Sequence, residues 1–131
     1  MEYIRDLLPK DKFDTASLER LMSLSDEQIN EIIPDLLEWI QDMNWPVAPC
    51  IIAVLAKHRK ATERHLIALL KPEQEDAEWK LHIIASLLNE WPSYPDDKIV
   101  AEIVRIASYP TEAERLEEVD VAAADYLNKS L

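Results

Sequence analysis

The chain has 131 residues, of which 48% are hydrophobic, and it carries a formal net charge of −12. This length suits one domain with a hydrophobic core, and the acidic balance disfavours nucleic acid and anionic bilayers as partners. The absence of glycine disfavours hairpin-rich β folds and glycine-rich nucleotide loops, because both depend on positive backbone dihedral angles. The composition therefore predicts a single all-α domain.

Residues 1–33 are predicted to form an N-terminal strap followed by short helices. The strap, residues 1–14, mixes apolar and charged side chains. Asp14 is a candidate N-cap for the first short helix, and Ser25 with Gln28 three residues later has the pattern of a capping box for the next. Because the two helix starts are close together in sequence, the chain is predicted to bend sharply between the two short helices.

Three helical hairpins are predicted after this segment, over residues 34–57, 62–90 and 98–128. Proline residues mark many of the boundaries, since proline is excluded from a helix interior but accepted in a first turn. Asn44 is expected to cap one helix, Thr62 to begin another and Asp76 to cap the helix over residues 77–90. The paired helices are 34–42 with 46–57, 62–70 with 77–90, and 98–108 with 112–128.

The last predicted helix, residues 112–128, begins with a second capping-box pattern. Thr111 supplies the hydroxyl and Glu114 the carboxylate three residues later. The helix is predicted to run through the apolar residues Leu116, Val119, Ala123 and Leu127. The hairpin therefore has both a start signal and an apolar face.

The same helix is predicted to present an acidic surface. Glu114, Glu117 and Glu118 are three and four residues apart, so they would share one helical face. Like charges at that spacing repel one another, and a surface that gathers them is suited to a basic protein partner. These three residues are candidate protein-binding residues.

The tryptophans are either core residues or anchors of an interface, where this residue type is enriched. Trp45 is the best candidate anchor, because it lies at a predicted turn between Asn44 and Pro46. With Asp42 and Lys80 it is predicted to mark one rim of a groove, and Asn44 belongs to the same candidate site. The four tryptophans are Trp39, Trp45, Trp79 and Trp91.

Two short segments indicate an internal repeat. Asp42 precedes Trp45 by three residues, Asp76 precedes Trp79 by three residues, and the two tryptophans are 34 positions apart. A period of this order is typical of helical solenoids. Residues 33–47, IPDLLEWIQDMNWPV, also resemble a HEAT repeat, with a proline in the first helix, an aspartate at its end and a valine early in the second.

A family resemblance extends over nearly the whole chain. The segments LLPKDKFDT, LLEWIQDMNWPVA and YPTEAERLEEVD, together with the Trp79-Lys80 pair, resemble the bacterial domain-of-unknown-function family 5071, a family of small HEAT-like proteins. The resemblance implies an all-α, α-α superhelix of about three HEAT-like helical hairpins in a bacterial protein. It implies no catalytic residue at any position.

The histidines offer little support for catalysis or metal binding. His58 and His65 lie among arginines and lysines, a setting that disfavours a metal cation. His82 follows Glu78 by one helical turn, but no nucleophile accompanies the pair. We therefore predict no catalytic residue, no metal site and no cofactor.

These observations favour a non-enzymatic protein–protein interaction module. The charged N-terminus lacks the apolar core of a signal peptide, which predicts a cytoplasmic protein. One alternative is an immunity or antitoxin protein that neutralises a basic toxin. A second is a small-ligand-binding protein or enzyme with a carboxylate–histidine pocket, which requires a cavity with a strongly perturbed acid. A homodimer is a further possibility.

Overall fold

The computed structural model describes residues 4–129, apart from the side chain of Arg5, and this part of the chain contains helices and turns but no strand. The all-α prediction is therefore confirmed. The first residues of the predicted strap, including Tyr3, lie outside the described residues. The chain divides into two compact units, Met1–Thr62 and Glu63–Leu131.

The helices of the first unit enclose an apolar core. Helices α1 and α3 both pack against α4, and the N-terminal 3-10 helix packs against α1. The core side chains are fully buried, and they include Leu21, Ile29, Ile33, Leu36, Ile51 and Leu55. The elements are a 3-10 helix Ile4–Leu7, α1 Ser17–Met22, α2 Asp26–Asn30, α3 Ile33–Glu38, α4 Ala48–Lys57 and the start of α5 Arg59–Leu70.

Local signals set two of these helix starts as expected. The Ser25 hydroxyl accepts a hydrogen bond from the Gln28 backbone N–H, and the Gln28 side chain accepts one from the Ser25 N–H. This reciprocal pair is the predicted capping box. Pro34 lies in the first turn of α3, where its missing N–H leaves no hydrogen bond unmade.

Three other predicted helix starts are wrong. Helix α1 begins at Ser17 without a side-chain cap, because the Asp14 carboxylate instead accepts hydrogen bonds from the Lys10 N–H and from Arg20. Asn44 does not cap α4, which begins four residues later with Pro49 in its first turn.

The predicted start at Thr62 is wrong because α5 already begins at Arg59. The Thr62 hydroxyl is buried and donates to the carbonyl oxygens of His58 and Leu55, at 2.8 and 3.1 Å. These bonds to backbone carbonyl groups meet the hydrogen-bonding requirement of a hydroxyl that is buried inside a helix. Thr62 therefore occupies a helix interior rather than a cap.

In the second unit, α9 is the central element. It packs against α7, against α6 and against the π-helical segment that follows α6. Its core includes fully buried Ile83, Leu87, Ile99, Ile103, Val119 and Ala123. The elements after α5 are α6 Ala77–His82, the π-helical segment Ile83–Leu87, a 3-10 helix Leu88–Glu90, α7 Asp97–Ser108, α8 Glu112–Leu116 and α9 Val119–Lys129.

The predicted helix over residues 77–90 begins at the expected position but does not remain α-helical throughout. The Asp76 carboxylate accepts a hydrogen bond from the Trp79 N–H and caps α6. The helix then widens into the π-helical segment and tightens into the 3-10 helix. The Asn89 side-chain amide donates to the Ala85 carbonyl oxygen at 2.6 Å, so a side chain satisfies a carbonyl that a regular α-helix would bond through the backbone.

The predicted helix over residues 112–128 is two helices. Glu118 has a φ of 58°, in the left-handed region that ends a right-handed helix, and it separates α8 from α9. The break rotates the two helical faces relative to each other. Val119 is buried, whereas Leu116 is 74% exposed, and the prediction of one continuous helix through both residues is wrong.

Candidate functional site

Asp42 builds the turn that precedes α4. Its carboxylate accepts a hydrogen bond from the Asn44 N–H at 2.8 Å, and its carbonyl oxygen accepts one from the Trp45 N–H at 3.2 Å. An aspartate that bonds to the backbone two residues ahead imitates a backbone turn. The structure therefore brings three of the predicted site residues, Asp42, Asn44 and Trp45, into one turn.

This turn places Trp45 against Trp39 at the end of α3. The ring centroids are 5.6 Å apart and the ring planes meet at 70°, which is the edge-to-face arrangement that aromatic pairs favour. Both side chains are partly exposed. By contrast, Trp79 and Trp91 are buried in the second unit. The tryptophan pair is thus an aromatic feature at the surface of the first unit.

The tryptophan pair forms one wall of a cleft of about 380 Å³, which we call the Trp39/Trp45 cleft. Its volume lies at the lower end of the range for ligand pockets. Apolar side chains from the N-terminal segment and polar side chains of α3 complete the lining. The lining residues are Leu8, Pro9, Asp35, Glu38, Trp39, Gln41 and Trp45.

Lys80 and Glu114, which the sequence analysis placed on binding surfaces, lie in the interior of the second unit. Their side chains are 1% and 0% exposed, and Lys80 Nζ donates to Glu114 Oε2 at 2.6 Å. Buried charges persist in proteins only when they are paired and hydrogen-bonded. The prediction that Lys80 marks a groove rim, and that Glu114 shares an exposed face with Glu117 and Glu118, is therefore wrong.

Arg105 completes this buried ion cluster. Its guanidinium makes a two-pronged contact with Glu114, from Nη1 to Oε1 and from Nη2 to Oε2, each at 2.8 Å. The Thr111 N–H donates to Glu114 Oε1 at 2.8 Å, so the predicted capping box is confirmed. Four hydrogen bonds thus converge on one carboxylate. We call Lys80, Arg105 and Glu114 the ion cluster.

The hydrogen bonds decide the protonation state of Glu114. Burial by itself would raise its pKa, but hydrogen bonds from Arg105, Lys80 and the Thr111 backbone outweigh burial and lower the pKa to about 2. The pKa of Arg105 is raised by the same bond to Glu114. A carboxylate with so low a pKa is a poor proton acceptor near neutral pH. The ion cluster is therefore better suited to a structural role than to acid–base chemistry.

The ion cluster also holds the end of α5. Lys80 Nζ donates to the Lys71 carbonyl oxygen at 2.8 Å, and Arg105 Nη2 donates to the Leu70 carbonyl oxygen at 3.0 Å. The last carbonyl groups of a helix lack partners within the helix and carry partial negative charge. Lys80 on α6 and Arg105 on α7 provide hydrogen bonds to these carbonyl groups, and both also bind Glu114 on α8. The ion cluster therefore connects the end of α5 to three other helices.

Glu117 and Glu118 are exposed, as expected for a binding surface. Glu117 lines a shallow depression of about 300 Å³ together with exposed Leu116. Three further carboxylates line the same depression, from Glu75, Asp76 and Glu78. The acidic surface of the second unit therefore does not include Glu114, which is buried.

The sequence matches a known protein family over most of its length. The family model described as Domain of unknown function (DUF5071) matches residues 7–127. The chain belongs to this family. No protein of curated function matches the sequence. The match to the family covers every residue of the Trp39/Trp45 cleft and of the ion cluster.

The surroundings of two histidines are carboxylates. Among the described side chains, no three His, Cys, Asp or Glu residues are grouped so that they could hold a metal ion. His58 is buried and its Nδ1 lies 2.6 Å from Asp26 Oδ1, and His82 lies 3.9 Å from Glu78. In residues 4–129, no helix has both the length and the apolar character needed to cross a membrane.

Sequence reasoning missed part of each site. It did not identify Arg105, although an arginine in the last turn of a helix followed by a capping-box glutamate is a local signal for an ion pair. Trp45 was singled out as a candidate anchor, whereas Trp39 was left as either a core residue or an anchor. The available signal was the separation of Trp39 and Trp45 by a turn that begins at Asp42, which brings the two rings together.

Proposed function

We propose that the protein is a non-enzymatic, cytoplasmic binding module of bacteria, built from stacked HEAT-like helical hairpins, whose partner is a protein with a basic surface. The observation that carries the proposal is the Trp39/Trp45 cleft, where two partly exposed tryptophans lie beside the carboxylates of Asp35 and Glu38. Tryptophan is enriched at the energetically dominant positions of protein interfaces.

Regular spacing of long-range hydrogen bonds supports the stacked-hairpin part of the proposal. Side chains bond to groups 32 to 35 residues away in sequence, which agrees with the 34-residue separation of Trp45 and Trp79. Nearest-neighbour contacts at one repeat length are what a solenoid requires. The bonded pairs are Lys57 with Met22, His58 with Asp26, Lys80 with Glu114, Tyr94 with Leu127, Asp96 with Glu63, and Arg105 with Leu70.

Charge supports a basic partner. The net charge of −12 produces a field that attracts positively charged surfaces and accelerates their association. The exposed carboxylates of Glu117 and Glu118 adjoin exposed Leu116 in the second unit. An apolar side chain among charges is suited to a contact in which a partner covers the leucine and neutralises its neighbours.

The test is capture of partners from the native host by the tagged protein, followed by binding measurements on the purified partner. The informative variants are Trp45→Ala, which removes one wall of the Trp39/Trp45 cleft, and a Glu117→Lys, Glu118→Lys double variant. Phe13→Ala is the matched control, because Phe13 is also an exposed aromatic residue, at 66%, but does not line the cleft.

We expect a partner with a basic surface that binds the wild type and the Phe13 variant equally and the Trp45 variant at least about tenfold more weakly. Equal binding of the same partner by the Trp45 variant and the wild type would overturn the role of the cleft. Weaker binding in high salt is a second expected result, because salt screens exposed charges.

A further inference from the structure

The Trp39/Trp45 cleft has the composition of a site for an organic cation. Its lining contains two aromatic rings and two carboxylates, and no described lining residue carries a positive charge. Asp35 and Glu38 are three residues apart on α3, so both carboxylates lie on the side of the helix that faces the cleft. The described lining residues therefore carry a net negative charge.

The contact between the two tryptophans is edge-to-face and uses one ring face of the pair. In an edge-to-face pair, one ring directs its edge at one face of the other ring, so the pair covers a single face of the four that it possesses. Both side chains remain partly exposed. A cation placed over a tryptophan face is attracted by the negative potential of the ring, and the attraction increases where water is excluded.

From these features we infer that the cleft binds the side chain of an arginine in a basic segment of the partner protein. This inference rests on the proposed function and adds the chemistry of the contact. A guanidinium is planar, stacks on aromatic rings and donates hydrogen bonds in a fork that matches carboxylates. A lysine ammonium is more strongly hydrated and lacks the planar surface. The Glu38 carboxylate and the Gln41 amide oxygen supply acceptors.

The probe for this inference is a short peptide with blocked ends and one central arginine. Binding is followed through the indole N–H signals of the four tryptophans in a nitrogen–proton correlation spectrum. We expect the signals of Trp39 and Trp45 to move on titration, while those of buried Trp79 and Trp91 stay in place. Replacing arginine with citrulline, which keeps the shape and removes the charge, should weaken binding about tenfold, in line with loss of a charge-assisted contact.

A pair of matched variants tests whether the Glu38 carboxylate contributes to binding. Glu38 is exposed and lines the cleft, so Glu38→Gln should weaken binding of the arginine peptide by about tenfold. Glu73→Gln removes the same charge from an exposed residue that does not line the cleft, and should leave the dissociation constant unchanged. Equal effects of the two substitutions would reduce the contact to general charge attraction and overturn the inference.

Two further variants test whether the aromatic ring of Trp45 is needed for binding. Trp45→Leu should abolish the binding, whereas Trp45→Phe should retain part of it because the aromatic face is kept. Circular dichroism establishes that each variant is folded. A Trp45→Leu variant that is folded and binds the arginine peptide as the wild type does would overturn the inference.

The ligand series separates this inference from the proposed function. A lysine or citrulline peptide that binds as tightly as the arginine peptide would overturn the arginine assignment and leave the protein-binding proposal standing. Free arginine amide that binds as tightly as the peptide would assign the cleft to a small molecule and overturn the docking of a partner segment. Selective binding of the arginine peptide, combined with a host partner that is insensitive to Trp45→Ala, would leave arginine recognition by the cleft standing and overturn the use of the cleft for binding that partner.

Discussion

Lys80 Nζ and Glu114 Oε2 lie 2.6 Å apart in the interior of the second unit, although 34 residues separate them in sequence. Removing one member of a buried ion pair leaves the other charged and without compensation. We therefore expect Glu114→Gln to lower the free energy of unfolding by about 3–5 kcal/mol, measured by urea denaturation. The matched control is Glu112→Gln on the same helix, where an exposed side chain should change stability by less than about 0.5 kcal/mol.

A double-mutant cycle separates the ion pair from general damage to the core. Once Lys80 is replaced by methionine, loss of the Glu114 charge should cost less than it costs in the wild type, because only Arg105 remains as a cationic partner. Strictly additive effects of Lys80→Met and Glu114→Gln would show that the two groups do not interact.

The low pKa of Glu114 predicts a specific loss of stability in acid. The ordinary pKa of a glutamate side chain is 4.5, and the pKa of Glu114 in the folded protein is about 2. The folded pKa is the lower one, so the stabilisation is complete above pH 4.5 and is lost as the pH falls from 4.5 towards 2. At 1.36 kcal/mol per unit of pKa difference, this loss is on the order of 3 kcal/mol.

The measurement is the free energy of unfolding of the wild type and of Glu114→Gln across that pH range. We expect the difference between the two proteins to be constant near neutral pH and to shrink below pH 4.5. A difference that persists unchanged at the lowest pH would mean that Glu114 keeps an ordinary pKa in the folded protein.

Glu118 supports a prediction of increased stability. Its φ of 58° costs about 1–2 kcal/mol for a residue with a Cβ atom, a cost that glycine avoids. Glu118→Gly should raise the free energy of unfolding by up to about 1 kcal/mol, since the greater freedom of glycine in the unfolded chain offsets part of the gain. The measurement is the midpoint of urea denaturation.

Glu117→Gly provides the comparison for that substitution. Glu117 has a φ of −92°, a value that every residue adopts, so glycine offers no relief there and should destabilise the protein by about 0.5–1 kcal/mol. If both glycine variants lose stability to the same degree, strain at Glu118 is absent.

Asp42 controls the position of Trp45, and the prediction concerns its side-chain oxygen. Asp42→Ala removes the acceptor for the Asn44 N–H and should cost about 0.5–1.5 kcal/mol of stability. It should also shift the indole N–H signal of Trp45. Asp42→Asn keeps an oxygen acceptor and should preserve both quantities. An alanine variant with an unchanged Trp45 signal would mean that the turn does not need the side chain.

The features that sequence predicted correctly are local ones. The capping boxes of Ser25 with Gln28 and of Thr111 with Glu114, and the cap at Asp76, each join residues three positions apart. The geometry of one helical turn fixes such contacts, so the residue types are sufficient to identify them. The all-α class follows from the same local preferences.

The features that sequence missed depend on distant residues. The spacing of Glu114 relative to Glu117 and Glu118 is typical of a solvent-exposed helical face. The burial of Glu114 is possible because it pairs with Arg105 and with Lys80, which is 34 positions away in sequence. The helix break at Glu118 was missed because no glycine or proline marks it. The cleft was partly predictable: Trp45 and its turn were identified, whereas the contribution of Trp39 required the packing of its ring.

Glu118 is the one residue with a positive φ within the described part of a chain that contains no glycine and eight prolines. Its other described turns and helix ends therefore use backbone angles that ordinary residues favour, with help from side chains such as that of Asp42. This has a consequence for the denatured ensemble. Glycine has the greatest backbone freedom in an unfolded chain and proline has the least. The unfolded chain therefore samples fewer conformations than an average sequence of its length, and it loses less conformational entropy when it folds.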